Sequence, residues 1–98
     1  MHKPQLLIFA AGTKGGGGSG FENLVRATKT GVLEADIVGV VSNHEHGGVR
    51  THADRLGVRF IYFPEPWTGE RYERILEDTG AQWVALSGWL KLVVVRTL

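Results

Sequence analysis

A chain of 98 residues makes one small domain, and 43% hydrophobic with 21% charged residues excludes a disordered segment. The formal charge of +1 gives no reason for bulk electrostatic binding to nucleic acid or to a membrane, so neither is expected as a partner. The absence of cysteine excludes disulfides and thiolate metal sites, and with no signal-peptide cleavage pattern and no apolar stretch near the roughly 20 residues that span a bilayer, the expected setting is cytoplasmic.

The chain opens with a continuous apolar run from Gln5 to Ala11. A run that short, without polar alternation, predicts a strand buried on both faces of a parallel sheet. It breaks into Gly12-Thr13-Lys14-Gly15-Gly16-Gly17-Gly18-Ser19-Gly20, where no regular element survives the glycine content. Phe21, Leu24, Val25 and Thr28 then recur at i, i+3, i+4 and i+7, one face of a helix that Gly31 stops. Ser19 is expected to be its N-cap, with Glu22 closing a capping box.

A second strand covers 36–42, and the polar cluster from Asn43 to Gly48 reads as a turn. A short helix follows over 49–56, with Val49, Ala53 and Leu56 inward and Arg50, His52 and Arg55 outward. The third strand is predicted over 58–63. The segment Pro64-Glu65-Pro66-Trp67 cannot continue a ladder and is a connector. The third helix begins around Thr68 to Arg71, buries Tyr72, Ile75, Leu76 and Thr79, and stops at Gly80. A fourth strand over 82–87 precedes a turn at Gly88 and the tail from Trp89 to Leu98.

Strands alternating with helices of about ten residues predict right-handed βαβ units and a Rossmann-like open parallel α/β sheet of about four strands. Ligands of such sheets bind beyond the carboxyl ends of the strands, near the point where the winding direction reverses. That rule selects the glycine loop, Ser42-Asn43-His44, the Pro64 connector and Ser87-Gly88-Trp89 as the segments that carry function.

Strand, glycine loop and helix in that order leave backbone N–H groups and the positive end of a helix dipole turned outward, which suits an anion. The bland alternative is a flexible surface loop, but glycine costs stability and so many together call for a reason. Gly15-x-Gly17-x-x-Gly20 satisfies the dinucleotide pattern only as any glycine run does. The second strand closes on Ser42-Asn43-His44, without the carboxylate a nicotinamide ribose wants. The P-loop pattern fails, because Lys14 precedes glycine rather than Ser or Thr. His44 and His46 flank Glu45, but no third residue has a metal-ligand spacing. Trp67 and Trp83 read as core or rim aromatics; Trp89 stands apart by its place on the functional edge, with Lys91 near it.

Several of these segments together resemble a family. Ala10-Ala11-Gly12, Gly18-Ser19, Asn23-Leu24, the run from Ala35 to Asn43, Gly47-Gly48-Val49 and the run from Leu86 to Leu92 are similar to the N-terminal half of phosphoribosylglycinamide formyltransferase, the folate-dependent enzyme of purine synthesis. The resemblance implies strand order 3-2-1-4 and a substrate phosphate held by Gly12, Gly17, Gly18, Ser19, Gly20 and Asn23. It also implies a folate pocket lined by Gly88, Trp89, Leu90, Lys91 and Leu92. The substrate would be glycinamide ribonucleotide and the formyl donor 10-formyltetrahydrofolate. The alternative is a stand-alone nucleotide- or phosphate-binding module without chemistry.

The sequence departs from the family in three places. Its glycine loop is several residues longer, and Gly69, Glu70 and Arg71 compete for the register of the family's arginine near the third helix. The family's catalytic Asn and His lie in an Asn-x-His-Pro segment, with a catalytic Asp further on. Here the two asparagines, Asn23 and Asn43, are not followed by that pattern, so no catalytic residue is assigned and the chain is expected to be inactive in isolation. Residues 93–98 no longer resemble the family, and truncation or a frameshift is the simplest reading of that ending, within a single partial domain over 1–98. Two further expectations follow: the apolar fourth strand forms an open sheet edge prone to self-association, and Gly18→Val removes anion binding while leaving the fold.

Overall fold

The computed structural model describes residues 3–12 and 17–89. Strands and helices alternate through them: β1 (Gln5–Ala10), α1 (Ser19–Thr30), β2 (Asp36–Ser42), α2 (Gly48–Leu56), β3 (Phe60–Tyr62), α3 (Gly69–Thr79) and β4 (Trp83–Ser87). The four strands form one parallel sheet in the order β3-β2-β1-β4. This is the expected α/β architecture and strand order.

β1 is central, and its composition explains why. Leu6, Ile8 and Ala10 face one layer, where they meet Phe21 and Val25 of α1 and Val49 and Ala53 of α2. Leu7 and Phe9 face the other, where they meet Tyr72 of α3, Phe63 and Trp89. A strand with a hydrophobic layer on each side has no solvent face to fill with polar residues. Leu6 to Ala10 are accordingly all buried.

The second layer is an aromatic cluster. Phe9 sits 5.5 Å from Tyr72 and 5.4 Å from Trp89 between ring centroids, and Phe63 stacks on Trp89 at 6.2 Å. Trp89 Nε1 donates to the Tyr72 hydroxyl at 3.0 Å. The backbone of residue 89 follows β4 as expected, and its side chain turns inward and is 4% exposed. A large amphipathic ring buries more apolar area here than at the rim, and Tyr72 accepts its N–H.

Other boundaries move for identifiable reasons. β3 starts at Phe60 rather than Val58, because the Val58 N–H is spent closing α2 on the Ala53 carbonyl at 3.0 Å. The N-cap of α1 is Gly18, not Ser19, which is the first helical residue. Gly18 takes the left-handed conformation (φ 93°) that ends the loop, so the helix begins at once after it. Among the described residues no side chain caps this end, and Glu22 turns to Arg26, His52 and Arg55 instead of closing a capping box.

Candidate functional site at the winding reversal

β1, β2 and β3 progress in one direction across the sheet, and the chain then crosses to the far side of β1 to lay down β4. The reversal therefore falls between the carboxyl ends of β1 and β4, where α/β sheets open a crevice. Gly12, Gly17 and Gly18 lie on the β1 side of it, with φ of 64°, 86° and 93°. These are values that only glycine adopts without strain. From the β4 side Ser87 reaches the start of α1 so closely that a Cβ on Gly20 would overlap the Ser87 Oγ. Glycine at position 20 thus lets the helix terminus close on the strand end.

The first N–H groups of an α-helix have no partner inside it. The Glu22 N–H closes the first turn on the Gly18 carbonyl at 3.0 Å. The N–H groups of Ser19, Gly20 and Phe21 precede that bond, with no side-chain cap over them among the described residues. Backbone donors and a helix dipole beside glycines are the features that suit an anion.

Of the residues expected here, Gly17, Gly18, Ser19 and Gly20 adjoin one another at this terminus, and Gly12 follows the end of β1. Asn23 is exposed one turn further along α1, and Gly88 is exposed just after β4. Leu90, Lys91 and Leu92 lie outside the described residues, as do Thr13 to Gly16 of the glycine loop.

Ser42 fixes the neighbouring edge. It is fully buried at the end of β2; its Oγ donates to the Ala11 carbonyl at 3.0 Å and accepts the His44 N–H at 3.2 Å. One hydroxyl so ties the exit of β1, where the glycine loop begins, to the exit of β2. Beyond it, Asn43 to Gly47 and Tyr62 line an open depression of about 440 Å³. Glu45 pairs with His46 at 3.0 Å. Among the described residues no three His, Asp or Glu side chains gather as a metal site would require. Of the three candidates at the start of α3, Arg71 is the one on the edge. Its guanidinium donates to the Pro64 carbonyl at 2.7 Å and to that of Pro66, and lies 4.8 Å over the Phe63 ring.

One cluster was not foreseen from the sequence. His52, expected to face outward, is half-buried against Gly18: a Cβ on Gly18 would come within 2.6 Å of His52 Cδ2. Arg55 lies 2.9 Å from His52 Nδ1 and ion-pairs with Glu22 of α1. The signal was available, since Val49, His52, Ala53 and Leu56 recur at i, i+3, i+4 and i+7 and so share the inward face of α2.

No family model matches the sequence. The chain is similar to phosphoribosylglycinamide formyltransferases in both sequence and fold. It is 30% identical over 105 residues to the chloroplastic phosphoribosylglycinamide formyltransferase of Arabidopsis thaliana, covering 97% of this chain and 35% of that protein. Its fold superposes on glycinamide ribonucleotide transformylase 1 from Geobacillus kaustophilus with a TM-score of 0.80 at 27% identity, over 95% of this chain and 50% of that one. A formyltetrahydrofolate deformylase from Burkholderia mallei gives a TM-score of 0.74 at 26% identity, over 94% and 33%. The chain thus spans about a third of the curated relative and about half of the transformylase.

Proposed function

We infer that this chain carries the ribonucleotide-binding side of a phosphoribosylglycinamide formyltransferase, and that the uncapped start of α1 receives the phosphate of glycinamide ribonucleotide. The observation that carries the reading is a formyltransferase likeness running through the whole strand–glycine loop–helix unit, together with the uncapped α1 terminus at the winding reversal. Phosphate on Gly17, Gly18, Ser19 and Gly20 would meet backbone donors alone, with Asn23 and Gly12 at the margins. The formyl donor in this reading is 10-formyltetrahydrofolate, met by the segment from Gly88 to Leu92 on the far side of the reversal. A cytoplasmic setting, supported by the cysteine-free composition, and self-association through β4 belong to the same proposal.

Formyl transfer builds a negatively charged tetrahedral intermediate from a neutral amine, so it needs a donor to the developing oxyanion and a group to move the amine's proton. Loss of one oxyanion donor alone costs about 10²–10³ in rate. His44 is the one side chain of this type on the described edge that follows a strand end, and Glu45 is engaged with His46. These 98 residues are therefore expected to bind without turnover. Calorimetry with the purified chain tests both halves. Glycinamide ribonucleotide should bind in preference to NAD(P) and simple nucleotides, and no formylated product should appear on adding 10-formyltetrahydrofolate. The reverse ranking of ligands overturns the reading in favour of a general nucleotide module. Formyl transfer abolished by His44→Ala would reveal a catalytic centre in this chain.

A further inference from the structure

Among the described residues, the side chain that presses on Gly18 comes from a second helix. His52 of α2 lays its Cδ2 edge against Gly18, close enough that no side chain fits between them. The opposite edge of the ring is fixed from behind. Nδ1 has two competing neighbours: Arg55 at 2.9 Å, which can only donate to it, and the Glu22 carboxylate at 3.4 Å, which could only accept from it; the shorter contact makes Nδ1 the acceptor. The ring proton of the neutral tautomer then sits on Nε2, the nitrogen bonded to Cδ2, on the side of the ring that faces the turn. The Glu22 carboxylate is 3.4 Å from Nδ1 and is held by Arg55, with Arg26 at 3.6 Å. Those two cations matter to an anion site, because an unpaired carboxylate in the first turns of α1 would repel a phosphate. Among the described residues the charged groups that meet the ring, Arg55 and Glu22, lie on its Nδ1 side, and Nε2–H has no protein acceptor.

Resting on the phosphate reading above, we propose that His52 is the side-chain member of the anion site, its Nε2–H donating to a phosphomonoester seated on the Gly17–Gly20 turn while Arg55 and Glu22 fix its tautomer. The backbone donors recognise any anion that fits the turn. An imidazole donor from a second helix adds a direction, favouring a tetrahedral phosphomonoester with an oxygen toward α2. It also explains why Gly18 must lack a side chain: a Cβ there would displace the ring from the turn.

The test uses the whole chain, labelled with ¹⁵N in its four histidines, and ribose 5-phosphate as the probe with ribose as the control. Addition of ribose 5-phosphate should shift the His52 Nε2 resonance saturably and leave Nδ1 nearly still, and ribose should shift neither. By calorimetry His52→Ala should weaken ribose 5-phosphate about ten- to a hundredfold, the range expected for one hydrogen bond to a charged group. His52→Gln, which keeps a donor, should recover part of the loss. Binding by the parent with an unmoved Nε2 resonance and undiminished affinity in His52→Ala overturns the proposal and leaves the backbone site standing. A parent chain that does not bind ribose 5-phosphate at all overturns the phosphate reading, and this proposal with it.

Discussion

Gly18 joins fold and site at a single residue. Its φ of 93° is left-handed, and a side chain there would meet His52 as well. The expectation that Gly18→Val leaves the fold is at odds with this geometry, since any side chain at 18 strains the turn that starts α1. Gly31 is the natural control: its φ is 83°, but nothing lies within 4 Å of where its Cβ would be. A left-handed non-glycine residue costs about 1–2 kcal/mol. Gly31→Ala should lose about that much in urea denaturation, and Gly18→Ala measurably more. The excess should shrink when His52→Ala is combined with Gly18→Ala, because the crowding partner is gone. Equal costs for the two alanines would mean that His52 does not press on the turn.

Among the elements, β1 and β2 do more than fill the core; their carboxyl ends are laced together by Ser42. The hydroxyl is buried and makes two hydrogen bonds, to the Ala11 carbonyl and from the His44 N–H. Removing it deprives both backbone groups of a partner, for which about 1–3 kcal/mol is typical. Ser42→Ala should lower the urea midpoint accordingly, and it should also weaken ribose 5-phosphate, because the start of the glycine loop is no longer anchored. Lost stability with unchanged affinity would show that the loop is positioned by α1 alone. Arg71 plays a comparable part at the β3 exit, where it gathers the carbonyls of Pro64 and Pro66 over the Phe63 ring.

For the molecule as a whole, β4 is the consequential edge. Among the described residues it pairs only with β1. Trp83 and Leu86 are each more than half exposed, and Val84 is exposed as well. The strand Trp83–Ser87 carries no charge and no proline, the features that usually discourage edge-to-edge pairing. Self-association through this edge is therefore expected, rising with concentration in sedimentation velocity and reduced by Leu86→Lys. A parent chain that remains monomeric across the accessible concentration range would count against it.

The fold was legible in the sequence because its signals are local. The apolar run of β1, the β-branched run of β2, the helical spacing of Phe21 and Val25 or Tyr72 and Ile75, and the glycines at 31, 57 and 80 each act within one or two turns of chain. The glycine loop was legible for the same reason: its composition excludes regular structure whatever surrounds it. Side-chain direction across long separations was not. Trp89 turns into the aromatic cluster because Phe9, Phe63 and Tyr72, from three separate segments, leave a space its ring fills. His52 reaches the glycine turn because α1 and α2 pack on the same face of the sheet, and Ser87 meets Gly20 because the winding reverses beside β1. Sequence alone determined which segments are strands, helices and turns. Only tertiary packing decided which side chains stand at the turn, since contacts between residues more than thirty positions apart depend on where whole elements come to rest.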